Sequence, residues 1–190
     1  MELPKQKKIY SGLETKFTDL KSLTTELKEK NLTGLLKISF DACEGIIFFD
    51  EGSIIDGYEI FKDEMPVKDR KGRNTVERSL VEKGSIDVYE LPKKILQIFI
   101  MTLREKPTQK LHTMYTDFRK LLIFLEQRNL HGTLQITTSK GRGYVLLDSG
   151  RPVDVFFCNT SGSEALSELL EIVDHESVEI DIFSREGRMS

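Results

Sequence analysis

The chain has 190 residues, of which 38% are hydrophobic and 31% charged, and its formal net charge is −3. This balance is typical of a globular protein with one large or two small domains and excludes a low-complexity or fibrous chain. The small negative charge gives no overall attraction to nucleic acid or to an anionic membrane.

The sequence indicates neither a targeting segment nor a membrane-spanning segment. The N-terminal stretch Met1–Ile9 contains three lysines and lacks the apolar core of a signal peptide. The longest apolar run, Ile98–Met101, is far shorter than the roughly 20 residues that cross a bilayer. The two cysteines form no CxxC pair, so a secreted disulfide framework is not indicated. By elimination we expect a cytoplasmic protein that does not bind a membrane.

An internal repeat organises the chain. Residues 17–60 align without a gap onto residues 115–158 at a constant offset of 98, with 13 identities among 44 positions. Because one register persists across several elements, the similarity indicates two copies of one small unit. The identical residues of the first copy are Thr18, Asp19, Leu23, Leu27, Asn31, Leu32, Gly34, Leu36, Ile38, Gly45, Asp50, Gly52 and Asp56.

Each copy opens with a predicted helix. Thr18 and Asp19 are typical of a helix start, with the hydroxyl capping free N–H groups and the carboxylate near the positive end of the helix dipole. Apolar residues follow at helical spacing. Asn31 suits a left-handed residue at the helix end, and Gly34 suits a tight turn or close backbone approach before a strand. The second copy has the same residue types 98 positions later.

Three short strands follow in each copy and are predicted to form an antiparallel meander. Asp50-Glu51-Gly52 and Asp148-Ser149-Gly150 indicate hairpin turns in which glycine supplies a positive φ. The predicted strands are 35–40, 46–49 and 53–60 in the first copy and 133–138, 144–147 and 151–158 in the second. Beyond them, amphipathic helices over 75–83 and 164–173 precede strands over 86–91 and 178–183.

These elements predict an α+β fold made of two tandem copies of a helix–three-strand meander–helix–strand unit. Each unit would contain a four-stranded antiparallel sheet with helices packed on one face. The corresponding boundaries are an N-terminal extension over 1–14, a first repeat over 15–91, a connecting helix and linker over 92–110, and a second repeat over 111–184.

Three motifs of the second copy resemble a known family. They are Asn129–Leu134 (N-L-H-G-T-L), Asp148–Gly150 (D-S-G) and Glu164–Leu170 (E-A-L-S-E-L-L), and they are similar to the PATAN-type domain. That domain stands at the N-terminus of cyanobacterial PatA-like response regulators and occurs in related bacterial and archaeal proteins. The first copy keeps the front half of the pattern but has Thr75–Val81 in place of the last motif. The resemblance implies a domain that mediates protein interactions in signalling, with no catalytic residues to carry over.

Two equivalent aspartates are candidates for a ligand site. Asp56 and Asp154 occupy the same place in an otherwise apolar third strand. A buried carboxylate is costly unless it is paired or hydrogen-bonded, so the two could converge on a cation or a shared ligand between the repeats. The alternative is that each caps a neighbouring turn or points to solvent at a sheet edge.

The loop Lys62–Asn74 is a candidate partner surface in the first copy alone. Its basic residues are Lys68, Arg70, Lys71 and Arg73. A basic loop can meet phosphates, but acidic residues are interspersed and no aromatic residues alternate with the basic ones. We therefore expect an ordinary solvated loop and no nucleic-acid binding.

The first helices of the two copies differ in one face. The polar residues at positions 24–26 are replaced by Leu122, Ile123 and Phe124 in the second copy, which makes that helix apolar all round. The connecting segment Pro92–Glu105, which contains Phe99, is equally rich in apolar residues. We expect these two helices to pack together as the joint between the repeats. The alternative is an exposed patch that makes a homodimer or receives another protein.

No catalytic constellation is found in the sequence. The three histidines have no metal-ligating partner at helical spacing, and no nucleophile elbow, P-loop or dinucleotide fingerprint is present. We expect no cofactor and a non-enzymatic protein-interaction module in a signalling or regulatory assembly, with another protein as its partner. The alternative is a small-ligand or metal sensor with a site between the two repeats.

Overall fold

The computed structural model describes residues 4–62 and 65–184, which form two compact units. The first unit is Gln6–Ile100, and the second contains the described residues from Met101 onward together with Pro4 and Lys5. The backbone N–H of Lys5 donates to the carbonyl of Cys158 at 2.6 Å. No helix in the described part of the chain is long and apolar enough to cross a membrane.

The first unit is a six-stranded antiparallel sheet with its helices on its faces. In chain order its elements are β1 Lys7–Glu14, α1 Leu20–Glu29, β2 Gly34–Phe40, β3 Cys43–Asp50, β4 Ser53–Phe61, β5 Val67–Lys68, a 3₁₀ turn Arg70–Gly72, α2 Arg73–Ser79 and β6 Gly84–Glu90. Helix α3, Lys93–Arg104, begins in this unit and continues beyond Ile100, the last residue of the unit. The strand order is β1-β6-β2-β3-β4-β5.

The second unit repeats this arrangement. Its elements are β7 Gln109–His112, α4 Phe118–Gln127, β8 Gly132–Thr138, β9 Gly141–Asp148, β10 Arg151–Phe157, β11 Thr160–Ser161, α5 Ser163–His175 and β12 Glu179–Ser184. The strand order β11-β10-β9-β8-β12-β7 matches that of the first unit strand for strand. The predicted α+β fold with two tandem units is therefore confirmed.

The four-stranded sheet predicted for each unit is too small. β1 lies in the segment expected to be an N-terminal extension, and it pairs with β6. In the second unit β7 pairs with β12 in the same way. The short strands β5 and β11 add to the opposite edges. β1 is an edge strand, so it pairs with a neighbour on one side only. Its pairing register shifts twice, and Gly12 with its positive φ lies at the second shift. Apolar and polar residues therefore do not alternate regularly along β1.

The helix starts are capped by aspartate rather than by the threonine expected to do so. The carboxylate of Asp19 accepts the backbone N–H of Lys21 at 3.0 Å, and that of Asp117 accepts the N–H of Arg119 at 3.0 Å. The hydroxyl of Ser22, followed by the N–H of Lys21, holds the pKa of Asp19 below the ordinary aspartate value, and the N–H of Lys120 is the main cause of the lowered pKa of Asp117. Thr18 therefore stands one residue before the cap.

The turn residues shared by the repeats adopt the conformations that their types favour. Asn31 and Asn129 have φ of 52° and 50° at the ends of α1 and α4. In the first β-hairpin turn, Glu51 and Gly52 both have positive φ, as the tight hairpin requires. The N–H of Gly52 then donates to the carbonyl of Leu32 at 2.8 Å, so the hairpin docks on the segment after the helix.

Gly34 allows the closest backbone approach in the first unit. A Cβ atom at this position would lie 2.0 Å from the carbonyl oxygen of Tyr89, and one at the equivalent Gly132 would lie 2.2 Å from that of Phe183. No side chain fits such a gap. The repeated glycine is therefore required by packing between β2 and β6, and between β8 and β12.

Each unit has its own apolar core between the sheet and two helices. In the first unit Leu23 and Leu27 of α1 pack on Leu36, Ile38 and other strand residues, with Val76 of α2 against them. In the second unit α4 and α5 cover the corresponding residues of β8, β9 and β10. Burial of these side chains is the main stabilising contribution to each unit.

Candidate functional site

The aspartate of the third strand in the first unit, Asp56, is buried at 3% exposure. Its Oδ1 accepts the backbone N–H of Gly57 at 3.1 Å, and its Oδ2 accepts the hydroxyl of Tyr58 at 3.2 Å. The ammonium of Lys68 in β5 lies 3.7 Å from Oδ1. These partners are what a buried carboxylate needs. The structure thus brings together Asp56 and Lys68, two candidate residues that the sequence analysis treated separately.

Asp154, the equivalent residue of the second unit, lies in a different environment. It is half-buried, and its Oδ1 accepts the N–H of Val155 at 3.1 Å. The residue equivalent to Tyr58 is Phe156, which has no hydroxyl to donate. The two aspartates therefore share a strand position but not a set of partners, and their convergence on a common ligand stays a prediction.

A register shift precedes both aspartates. In the β3–β4 pairing Phe49 pairs with Ile54 and Phe48 with Asp56, which leaves Ile55 without a partner residue. The β9–β10 pairing shifts in the same place and leaves out Val153. This repeated β-bulge changes which face of the strand the next residue points to. Both aspartates therefore stand directly after the same β-bulge.

The segment expected to be a solvated basic loop forms short regular elements from Val67 onward. Lys68 belongs to β5, and Arg73 opens α2 with its Nε 2.8 Å from Oε1 of Glu77. Arg70 and Lys71 lie in the 3₁₀ turn, and both are exposed with no carboxylate partner in the described residues. Of the four basic candidates, these two are the ones available to a partner.

Asp69 fixes this segment and was not singled out by the sequence analysis. It is buried, and its carboxylate accepts the N–H groups of Asn74 and Thr75, both at 2.9 Å. It also accepts the Thr75 hydroxyl at 2.7 Å. The carboxylate thus caps the first turn of α2. The signal in the sequence was an acidic residue four positions before the helix start, hidden among the other charges of the segment.

A second buried ion pair holds α2 to the sheet. Nε of Arg78 lies 3.1 Å from Oε1 of buried Glu59, and its Nη1 lies 2.7 Å from Oε1 of Glu82. The guanidinium also stands over the rings of Phe40 and Phe61, 5.9 Å from each centroid. The glutamate partners raise the pKa of Arg78, Glu59 first. This cluster is structural, since each of its charges has a partner within the first unit.

A groove of about 570 Å³ opens where the start of α1 meets the end of α2. Leu20, Val76 and Ser79 contribute to its inner wall. Thr15 fixes it: its hydroxyl donates to the carbonyl of Glu82 at 3.0 Å and accepts the N–H of Gly84 at 2.9 Å. The helix was expected to continue to Lys83, but α2 ends at Ser79. The residues after it are held by Thr15 instead.

Three large apolar side chains are exposed at this groove. Leu80 and Val81 line it and are 74% and 83% exposed. Phe17 is 76% exposed and lies in the chain between two lining residues, Lys16 and Thr18. The sequence analysis missed this cluster because it assigned Leu80 and Val81 to an amphipathic helix. We call the groove with these three side chains the α1–α2 groove.

The apolar residues of α4 divide between core and surface. Leu122 packs on the core of the second unit, whereas Ile123 and Phe124 are exposed. The guanidinium of Arg128 lies 4.9 Å from the centroid of the Phe124 ring. Phe124 and Arg128 also line a shallow groove of about 300 Å³. The alternative of an exposed patch on this helix therefore remains open, and the expected packing of α3 on α4 stays a prediction.

Phe99 is fully buried, which corrects its assignment as a candidate partner surface. Its ring meets that of Phe48 edge-on, with 5.5 Å between the centroids. Phe48 points to the face of the sheet opposite α1 and α2, because its strand neighbours Ile47 and Phe49 belong to the core on the helix side. The part of α3 that belongs to the first unit therefore contributes to the core of that unit.

The histidines have local partners. Nδ1 of His131 lies 2.8 Å from Asp148, and Nδ1 of His175 lies 2.8 Å from the carbonyl of Glu171. Within residues 4–62 and 65–184, no group of three or more His, Cys, Asp or Glu side chains could hold a metal ion.

Comparison with known proteins places the chain in a family. A family model described as an uncharacterised protein conserved in archaea, DUF2226, matches residues 1–103 and again residues 100–189. The chain belongs to this family. The two tandem matches agree with the two units of the fold, but they do not identify these units as PATAN-type domains. No curated protein and no solved structure matches the chain.

Proposed function

We propose that this member of the DUF2226 family is a non-enzymatic module that binds another protein. The observation that carries the proposal is the α1–α2 groove, where Phe17, Leu80 and Val81 expose most of their apolar surface to solvent. Single exposed apolar residues are ordinary, but a cluster beside a groove is typical of an interaction site. None of the three is needed for the core of the first unit.

The second unit supports the same function. The residue equivalent to Phe17 is Tyr115, which is 86% exposed. Both repeats therefore carry an aromatic side chain just before the helix cap without burying it. Aromatic residues supply large contact areas in protein interfaces, so an aromatic at this place suits contact with a partner better than it suits folding.

The finer parts of the proposal rest on the sequence motifs. The N-L-x-G-x-L and D-x-G motifs support a relation between these units and the PATAN-type domain, and with it a role in a signalling or regulatory assembly. A protein partner follows from that relation, and a cytoplasmic location is part of the same proposal. Under this proposal the secondary contact surfaces are Arg70 and Lys71, which have no carboxylate partner among the described residues, and the exposed Ile123 and Phe124.

Affinity capture with the full-length tagged chain tests the proposal. Extract from the organism that encodes the protein is passed over the wild-type chain and over a Phe17→Ser, Val81→Ser double variant, and retained proteins are identified by mass spectrometry. We expect at least one protein to be retained by the wild type and lost with the variant, and then to bind the purified wild type directly. Capture of the same proteins by both chains would refute a binding role for the groove.

A matched control uses exposed apolar residues of the second unit. Met114→Ser with Val153→Ser removes comparable exposed side chains and should retain the partner. Because all four positions are exposed, circular dichroism and thermal midpoints should match the wild type in both double variants. Loss of the partner in both double variants would point to general surface stickiness and would overturn the proposal.

A further inference from the structure

We infer that the α1–α2 groove binds an acidic peptide segment of the partner, one in which Asp or Glu residues flank a large apolar side chain. This inference rests on the proposed protein-binding function and adds the chemistry of the partner. It comes from a comparison of the groove with the same place in the second unit.

Equivalent residues of α2 and α5 can be identified from the strand glycine that each helix packs against, which is Gly45 in the first unit and Gly143 in the second. A Cβ atom on Gly45 would lie 2.4 Å from the side chain of Thr75, and one on the equivalent Gly143 would lie 2.8 Å from that of Leu169. Thr75 of α2 therefore corresponds to Leu169 of α5. Five residues further along, Leu80 of the first unit corresponds to Asp174 of the second.

In the second unit this place is closed by an ion pair. Nη2 of Arg119 at the start of α4 lies 2.6 Å from Oδ2 of Asp174 in α5. In the first unit the residue equivalent to Arg119 is Lys21, and Leu80 stands where the aspartate would be. The exchange leaves Lys21 without its cross-helix carboxylate and leaves Leu80 exposed, both lining the groove. The first unit thus lacks the acidic partner that the second unit supplies to itself.

The remaining charges of the groove also favour an acidic partner. Lys16 and Lys83 line it and are exposed, and the ammonium of Lys16 stands 5.2 Å above the ring of Phe17. The two carboxylates present are already engaged, since Asp19 caps α1 and Glu82 pairs with Arg78. Lys21 also interacts electrostatically with Asp19, so the groove presents three ammonium groups against two carboxylates that are already engaged.

The shape of the site favours a peptide over other anionic partners. A concave groove of about 570 Å³ with an apolar wall accepts a side chain, whereas a bilayer presents a broad surface. Nucleic acid would place phosphates against exposed Leu80 and Val81, which offer it no hydrogen-bond donors. An apolar side chain in the groove with carboxylates reaching Lys16, Lys21 and Lys83 satisfies both kinds of surface.

A displayed library of random dodecapeptides tests the inference, with selection on the full-length chain. Leu80→Asp serves for counter-selection, because it rebuilds in the first unit the ion pair that Arg119 and Asp174 make in the second. Val153→Asp is the matched control, since it places the same new charge at an exposed apolar position of the second unit. Thermal midpoints verify that both variants are folded.

We expect the enriched peptides to carry Asp or Glu around a Leu, Ile or Phe. A synthetic copy of the strongest peptide should bind Leu80→Asp about tenfold more weakly than the wild type, while Val153→Asp stays within about twofold. Raising NaCl from about 50 to about 300 mM should weaken binding to the wild type, because salt screens the contacts between exposed charges.

Four results would overturn the inference. The first is that no peptide is enriched on the wild type relative to the Leu80→Asp variant, and the second is that the enriched peptides are basic or uncharged. The third is that the selected peptide binds Leu80→Asp and Val153→Asp with equal affinity. The fourth is a Leu80-dependent association with phosphatidylserine vesicles, or with a second copy of the chain by light scattering, in place of peptide binding. If captured proteins still depend on Phe17 and Val81 in these cases, the proposed protein-binding function stands and only the acidic chemistry fails.

Discussion

Replacing Asp69 with alanine is expected to destabilise the first unit by about 3 kcal/mol. The carboxylate accepts two backbone N–H groups and one hydroxyl at the start of α2. Two of these donors belong to Thr75, which is fully buried, and the third belongs to exposed Asn74, which water can satisfy. A buried donor left without its acceptor costs about 1–3 kcal/mol, so the two donors of Thr75 account for most of the loss.

The effect can be measured by urea denaturation followed by far-ultraviolet circular dichroism. The free energy of unfolding should fall for Asp69→Ala with little change in the dependence on urea. Asp69→Asn should be intermediate, because its amide oxygen still accepts a hydrogen bond while its NH₂ group faces another donor. Asp41→Ala is the control, since Asp41 is exposed and makes no hydrogen bond in the described chain.

A loss below about 1 kcal/mol for Asp69→Ala, or one equal to that of Asp41→Ala, would refute the reasoning. It would mean that the segment between β4 and α2 is solvated, as the alternating charges of its sequence suggest. A loss near the expected value would establish that Asp69 anchors the turn in which Arg70 and Lys71 are presented.

Three further outcomes follow from the geometry. Gly34→Ala should destabilise the protein by about 3 kcal/mol in urea unfolding, because its Cβ would lie 2.0 Å from a carbonyl oxygen of the neighbouring strand. Asp117 has a pKa below its ordinary 3.8, first because it accepts the N–H of Lys120, so its stabilisation is present above that pH and lost as the pH falls through the lower folded-state pKa. Asp117→Asn keeps the capping oxygen without titrating, and its thermal midpoint should fall less than that of the wild type below about pH 4. Iodoacetamide should modify partly exposed Cys158 well before buried Cys43, whose pKa burial raises, as intact mass and peptide mapping would show.

Each of these outcomes has a clear contrary result. A Gly34→Ala variant as stable as the wild type would mean that β2 and β6 can move apart at no cost. Equal acid sensitivity of Asp117→Asn and the wild type would mean that protonation of the Asp117 carboxylate costs the fold no stability. Modification of Cys43 as fast as Cys158 would mean that the start of β3, where Cys43 lies, opens readily.

The repeat, the helix starts and the turns could be predicted from the sequence because they depend on neighbouring residues, whereas the capping side chain is the aspartate and not the expected threonine. Asn31 after a helix and Gly52 in a two-residue turn adopt positive φ for local reasons, and the structure confirms both. The same holds for the apolar spacing of α1. Such features depend on a few neighbouring residues, and each of them occurs a second time 98 residues later, which supports the prediction independently.

The outer strands and the candidate site depended on tertiary structure. β1 and β7 are recognised only by the strands they pair with, since an edge strand needs no regular alternation. Asp56 and Asp154 occupy equivalent positions of the repeat, yet only Asp56 is fully buried, where Tyr58 and Lys68 are its partners.

The α1–α2 groove shows the division between sequence and tertiary structure most directly. The sequence by itself determined that two similar units exist and which residues shape their helices and turns. It could not determine that Leu80 occupies the place of Asp174, because α2 and α5 lie outside the gapless alignment and are matched only through Gly45 and Gly143. The physical reason is that packing decides which residues face Lys21 and Leu80. Whether the lysine has a cross-helix carboxylate and whether the leucine is exposed therefore depend on residues distant in the sequence.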